Sequence, residues 1–262
     1  MKQFSLIEGA IRHNFYLYLF LRRLAPTICS FIPLEDGFNF LKLIRSNDFE
    51  FTALDIGAND GTSIRMIRKF HRDTRIEAFD PIIMPKFKLR NINFHQIGLS
   101  NKESELEIFS PIVRGRIFPQ YSSIYSEKII KQITSDMNVK TSDVSLVSKI
   151  VQLKTIDSFN LKPYFMKIDV EGAELLVLEG AQNSIENFLP VILIEIQNND
   201  TYQQIKSFLH KLSYYCIRPD QFIQSESGSI SLEPNLENFR KSTNNYVWVS
   251  RNISPSWRLN GK

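Results

Sequence analysis

The stretch FTALDIGANDGTS, residues 51–63, constrains the fold more than any other part of this chain. Residues 51–57 are apolar enough for a strand buried on both faces. Gly57, Asn59 and Gly61 then break the chain into a turn, and SIRMIRKF (63–70) sets Ile64, Ile67 and Phe70 at helical spacing. A buried strand that turns through residues tolerant of positive φ into a helix opens an α/β sheet. Such sheets hold ligands at that turn.

The same alternation continues downstream. RIEAFDP (75–81) reads as a second strand stopped by Pro81, INFHQIGLS (92–100) as a third, and ELEIF (105–109) as a short extra one. FMKIDV (165–170) is the next buried strand, followed by a helix from Glu171 to about Asn187 with Leu175, Leu178 and Ile185 on its apolar face. PVILIEIQ (190–197) is almost continuously apolar, as a central parallel strand is. A helix near 201–213, the run YYCIRP (214–219) and a last strand NYVWVS (245–250) complete the series. This predicts an α/β fold with a mostly parallel sheet and helices on both faces.

The expected organisation is a helical N-terminal extension over residues 1–48 and one domain over 49–262, a common size for a single α/β unit. Within it, residues 110–150 are polar, rich in Ser, Thr and Lys, and too long for a plain connection. They read either as a lid or substrate insertion or as a structural one. The net charge of +4 permits an anionic substrate without demanding one. The basic runs RMIRKFHRDTR (65–75) and KFKLR (86–90) read as solvated surface, and the aromatic motifs of RNA readers are absent, so no nucleic-acid partner is expected. Cys29 and Cys216 lack metal-ligand spacing and fit a reducing compartment, which points to the cytoplasm. Residues 15–33 are apolar, but Arg22 and Arg23 break them short of the ~20 residues a membrane span needs. That segment is read as a docked helix, with peripheral membrane contact as the alternative.

The turn lacks the G-x-G-x-x-G that lets a backbone approach a pyrophosphate. Close approach is confined to Gly57 and Gly61, which suits a ligand with an adenosine and no pyrophosphate. S-adenosylmethionine is such a ligand, and its carboxylate suits the N-terminus of the following helix. The predicted cofactor set is Asp55, Gly57, Asn59, Gly61 and Thr62 in the turn and Gly98 and Leu99 at the end of the third strand. Asp80, at the end of the second strand, accepts the ribose hydroxyls in this reading or is simply a turn Asp before Pro81.

With DIGANDG, EAFDP and KTIDSF go FMKIDVEGAELLVLEGA and LPVILIEIQN. Over about residues 50–250 this pattern resembles the FkbM-type S-adenosylmethionine-dependent methyltransferases, most specifically in its K-I-D-V-E-G-A-E block and later I-E-I. The resemblance implies a seven-stranded Rossmann-like sheet with an antiparallel last strand. It also implies O-methylation, frequently of sugar or secondary-metabolite hydroxyls. The family usually carries Glu where this chain has Asp80, one methylene shorter.

Asp55, Asp80, Asp169, Glu171 and Glu195 all fall at or near the carboxyl ends of predicted strands, where open sheets present ligands. An acidic mouth suits a cofactor bearing an ammonium and a sulfonium. Methyl transfer to an alcohol needs an aligned nucleophile and removal of its proton. Asp169 and Glu171 are the candidate bases, Glu195 their support, and His95 a further candidate that also reads as a core histidine. Glu171 and Asp169 could instead serve the helix terminus. Glu195 could pair with Lys167, and Glu174 reads as solvent-facing. Oxygen-only clusters suit Mg²⁺, but no tight Asp-Asp pair is present and no metal site is predicted. The expected partner is a small-molecule or glycan acceptor. Two rivals remain at this stage: a nucleotide-binding oxidoreductase on a similar sheet, and a non-catalytic binding protein.

Overall fold

A computed structural model describes residues 38–83, 90–217, 244–252, 254 and 256–259. A 3₁₀ turn (Phe38–Lys42) leads into β1 (Ile44–Ser46), then β2 (Thr52–Ile56), α1 (Thr62–Phe70), β3 (Arg75–Phe79), β4 (Ile92–His95) and β5 (Gly98–Leu99). Strands β6 (Ser104–Val113), β7 (Arg116–Ile117) and β8 (Val144–Lys154) enclose α2 (Ser126–Met137). After them come β9 (Pro163–Ile168), α3 (Glu174–Glu179), α4 (Gln182–Phe188), β10 (Val191–Glu195), α5 (Asn199–Lys211), β11 (Tyr214–Ile217), β12 (Asn245–Ser250) and β13 (Trp257–Leu259).

The main sheet has seven strands in the order β11-β12-β10-β9-β2-β3-β4. Strands β10, β9, β2, β3 and β4 run parallel, and β12 runs antiparallel to both β10 and β11. Side chains alternate across the sheet. Leu54, Ile56, Met166, Ile168, Ile192 and Ile194 face one core with Val177, Ile185 and Ile205 from α3, α4 and α5. Ala53, Ile76, Ala78, Phe165, Val191 and Leu193 face the other, against Ile64 and Ile67 of α1 and Phe38, Leu41 and Ile44. By the same alternation Asp55, Asp80, Lys167, Asp169 and Glu195 belong to the α1 face of the sheet.

Several expectations are redrawn. The third strand divides: β4 joins the main sheet, and β5 opens a second sheet of order β5-β8-β6-β7. The short strand over 105–109 is a ten-residue one, paired along its whole length with β8. Residues 110–150 therefore carry regular structure, with Val113, Phe118, Ile129, Ile133 and Met137 in a small core of their own. The helix expected from Glu171 starts at Glu174, because Glu171 (φ 55°) and Gly172 (φ 109°) leave the helical region. It breaks again at Gly180, where a side chain would lie 2.0 Å from the Ser100 carbonyl oxygen.

Of the extension predicted over 1–48, residues 1–37 lie outside the described residues, as do Cys29, the apolar run 15–33 and most of KFKLR. Residues 44–46 pair antiparallel with 257–259. Among the described residues no helix is long and apolar enough to cross a membrane.

Candidate active site

The last row of the parallel ladder is Ile194, Ile168, Ile56, Phe79 and His95 on β10, β9, β2, β3 and β4. One residue further along four of these strands stand Glu195, Asp169, Gly57 and Asp80. Strands in a sheet lie ~4.8 Å apart. The register thus sets three predicted site carboxylates and the first turn glycine side by side along one edge.

The turn that follows β2 is built from left-handed residues: Gly57 at φ 79°, Asn59 at φ 46° and Gly61 at φ 82°. Gly57 N–H and Ala58 N–H both donate to the Phe79 carbonyl (2.9 and 3.0 Å), and Gly61 N–H donates to Ala58 (2.8 Å). Thr62 donates through its amide and hydroxyl to Asp60 (3.1 and 2.8 Å), which anchors the start of α1. Gly57 is required by its neighbour. A Cβ there would lie 1.7 Å from the Asp169 carbonyl oxygen, so the glycine lets β9 pass close to the turn. A larger residue at 57 thus meets the protein's own backbone first.

Asp80 accepts three backbone N–H groups: Asn59 on one carboxylate oxygen (3.0 Å), Ile82 and Ile83 on the other (2.8 and 2.6 Å). A carboxylate offers about four acceptor sites, so it can take about one further hydroxyl without releasing its own turn. Burial pushes its pKa up, against the pull of those amides.

Asp55 is fully buried beneath the turn. Ser63 Oγ donates to its Oδ2 (2.6 Å), and the Lys167 ammonium lies 3.8 Å from its Oδ1. Burial raises its pKa, opposed by Lys167 and Ser63. Lys167 itself is buried and donates to the Gly57 carbonyl (3.2 Å) and to Asp169 Oδ2 (3.1 Å). Sequence reasoning assigned Lys167 only to Glu195. The register that pairs it with Asp55 was the missing information.

The loop after β9 carries Asp169, half-exposed, and Glu171, exposed. Glu171 accepts from Gln197 (2.8 Å) beyond β10 and pairs with Lys128 of α2 (3.6 Å). Strand β8 likewise reaches this edge, where Lys149 donates to the Pro81 carbonyl (3.3 Å). The insertion thus touches both flanks of the strand-end row. Glu174, read as solvent-facing, is buried, and its carboxylate accepts the Gly172 N–H (2.8 Å). Burial raises its pKa, and backbone amides oppose the rise. Its place two residues after a glycine, at a helix start, was the signal for it.

His95 lies elsewhere than the candidate bases. It bonds Glu77 (2.6 Å) and stacks on Phe79 at 4.6 Å between centroids. Gly98 and Leu99 are buried in β5, which pairs with β8. A Cβ on Gly98 would lie 2.4 Å from Leu153, and Leu99 joins the core with Val177 and Leu178. Two buried acceptor oxygens, Asp55 Oδ1 and Asn59 Oδ1, have no hydrogen-bond partner among the described residues. Among those residues no group of three or more His, Cys, Asp or Glu is placed to hold a metal.

Residues 55–216 match the model of the methyltransferase FkbM domain. The chain belongs to the FkbM methyltransferase family. The family's domain runs from the buried Asp55 through the turn, the row of strand ends and the whole insertion to Cys216 on β11. Among solved structures, the chain is similar to a methyltransferase FkbM from Methylobacillus flagellatus KT, at 14% identity and a TM-score of 0.44. That alignment covers 77% of this chain and 44% of the other, so the chain spans less than half the length of that protein. No curated protein matches it.

Proposed function

We propose that this family member transfers a methyl group from S-adenosylmethionine to a hydroxyl oxygen of a sugar, glycan or secondary metabolite. The observation that carries the reading is the strand-end row of Glu195, Asp169, Gly57 and Asp80 beside Asn59 Oδ1, a buried acceptor with no hydrogen-bond partner among the described residues. A buried acceptor without a donor costs free energy, and a ligand bringing an ammonium and ribose hydroxyls relieves that cost. The residues therefore fit the group: Asn59 and the remaining acceptor site of Asp80 to hold adenosine-side donors, and the acidic edge to favour a cation. When bound, the cofactor supplies an electrophilic methyl on a sulfonium.

The chain's own work is to orient the acceptor and take its proton. Asp169 and Glu171 stand on the loop beside Gly57, within reach of solvent, which suits a base that must release its proton. Glu195 stands next to Asp169 in the row and supports it. The insertion, touching Pro81 and Glu171, covers the acceptor. Calorimetry with S-adenosylhomocysteine tests the cofactor. Incubation with methyl-labelled cofactor and cell-derived glycans, read by mass spectrometry, tests the acceptor. Binding with a single new O-methyl group supports the reading, and absence of binding by the folded protein overturns it.

A further inference from the structure

One cation links both halves of the strand-end row. Lys167 is buried, lies opposite Asp55 in the β2–β9 register, and sends its ammonium past the ladder to the Gly57 carbonyl at 3.2 Å and Asp169 Oδ2 at 3.1 Å. Behind it the contacts continue through Asp55 to Ser63 in the first turn of α1. A buried ammonium is held only by good acceptors, and each acceptor here belongs to a different part of the site: the turn, the strand beneath it, and the loop with the candidate base.

We infer that Lys167 is a positioning residue that couples the cofactor turn to Asp169, so that occupancy of the turn and orientation of the Asp169 carboxylate are one event. The inference rests on the cofactor reading given above. The ammonium fixes the Gly57 carbonyl, which sets the path of the turn. It also fixes one oxygen of Asp169, Oδ2. Moving either acceptor moves the shared donor. Asp169 therefore reaches the cofactor turn through Lys167 as well as by adjacency.

The test is a double-mutant cycle read by calorimetric binding of S-adenosylhomocysteine, with thermal melts alongside. Lys167→Met alone leaves buried Asp55 without its cation and risks the fold, so the cycle is run on an Asp55→Asn background that removes that charge. Lys167→Met and Asp169→Asn are added singly and together. If the two residues act as one unit, each single change weakens binding about tenfold and the pair weakens it by about the same factor. Losses that multiply to about a hundredfold, or binding unchanged by Lys167→Met in a folded protein, overturn the inference. Asp169→Asn in the otherwise native chain gives a second arm, since its part-exposed side chain puts little of the fold at risk. An unchanged affinity there also overturns it. Failure of the wild-type protein to bind is a separate result, and it overturns the cofactor reading and this inference together.

Discussion

The turn after β2 and the loop after β9 stand side by side, and they are built on opposite plans. In the turn the amides of Gly57, Ala58, Asn59, Gly61 and Thr62 all have acceptors within the protein. In the loop Glu171 and Gly172 hold positive φ with Glu171 exposed, tied by Gln197, Lys128 and the buried Glu174 carboxylate. The two glycines make the contrast plain. A Cβ on Gly57 runs into Asp169, whereas one on Gly172 meets nothing within 4 Å. The turn is held in place by its own hydrogen bonds. The loop has open space at Gly172.

The strongest way to break this comparison is Gly57→Val. Collision with the Asp169 carbonyl combined with a strained φ should cost at least about 3 kcal/mol, and denaturant melts should show a chain largely unfolded or far less stable. A variant as stable as wild type would show that β9 does not press on the turn. Next in size is the chemistry. Asp169→Asn or Glu171→Gln should lower single-turnover methyl transfer by ~10²–10⁴-fold while the melt stays near wild type. Wild-type rates in both across pH would remove both residues as the base.

Gly172→Ala sharpens the contrast from the other side. With open space and only backbone strain to meet, it should cost about 1–2 kcal/mol, clearly less than the change at Gly57. The smallest effect concerns Glu174. Its pKa is raised by burial, so in the folded state its ionisation is unfavourable relative to the unfolded chain. The stability it contributes is present below its unfolded pKa near 4.5 and is lost as pH rises through the higher folded value. Glu174→Gln keeps an acceptor for Gly172 and removes the titration. The stability of this variant relative to wild type should therefore improve between pH 4 and pH 7, and a difference constant over that range would show that the group does not titrate abnormally.

The sequence carries the main sheet well because its central strands are short, nearly continuous apolar runs bounded by Gly, Pro and Asp, as strands buried on both faces are. It carries the turn because three residues that tolerate positive φ stand at alternate positions. It carries the second sheet poorly. Strand β8 is largely exposed, so its residues alternate without the apolar signal that marks a buried strand. The site divides in the same way. Asp80, Asp169 and Glu195 were readable as strand ends, whereas the Lys167 contacts depend on which strands are neighbours, and no local pattern encodes that. Gly98 is pressed against Leu153, a packing contact that depends on which strands are neighbours and that the local sequence does not show.

The placement of β12 has a consequence for how the protein is made. It lies between β10 and β11 although it follows both in the chain, and β13 is the partner of β1, near the opposite end. During synthesis this side of β10 has no mate until residues 245–250 emerge, so nascent molecules carry an open, apolar ladder until that segment is made. Such long-range closure is slow. A chain stopped at Asn244 should accordingly retain the cofactor turn in its sequence yet aggregate on release, as light scattering during cell-free synthesis would show, whereas the same chain extended to Lys262 stays dispersed.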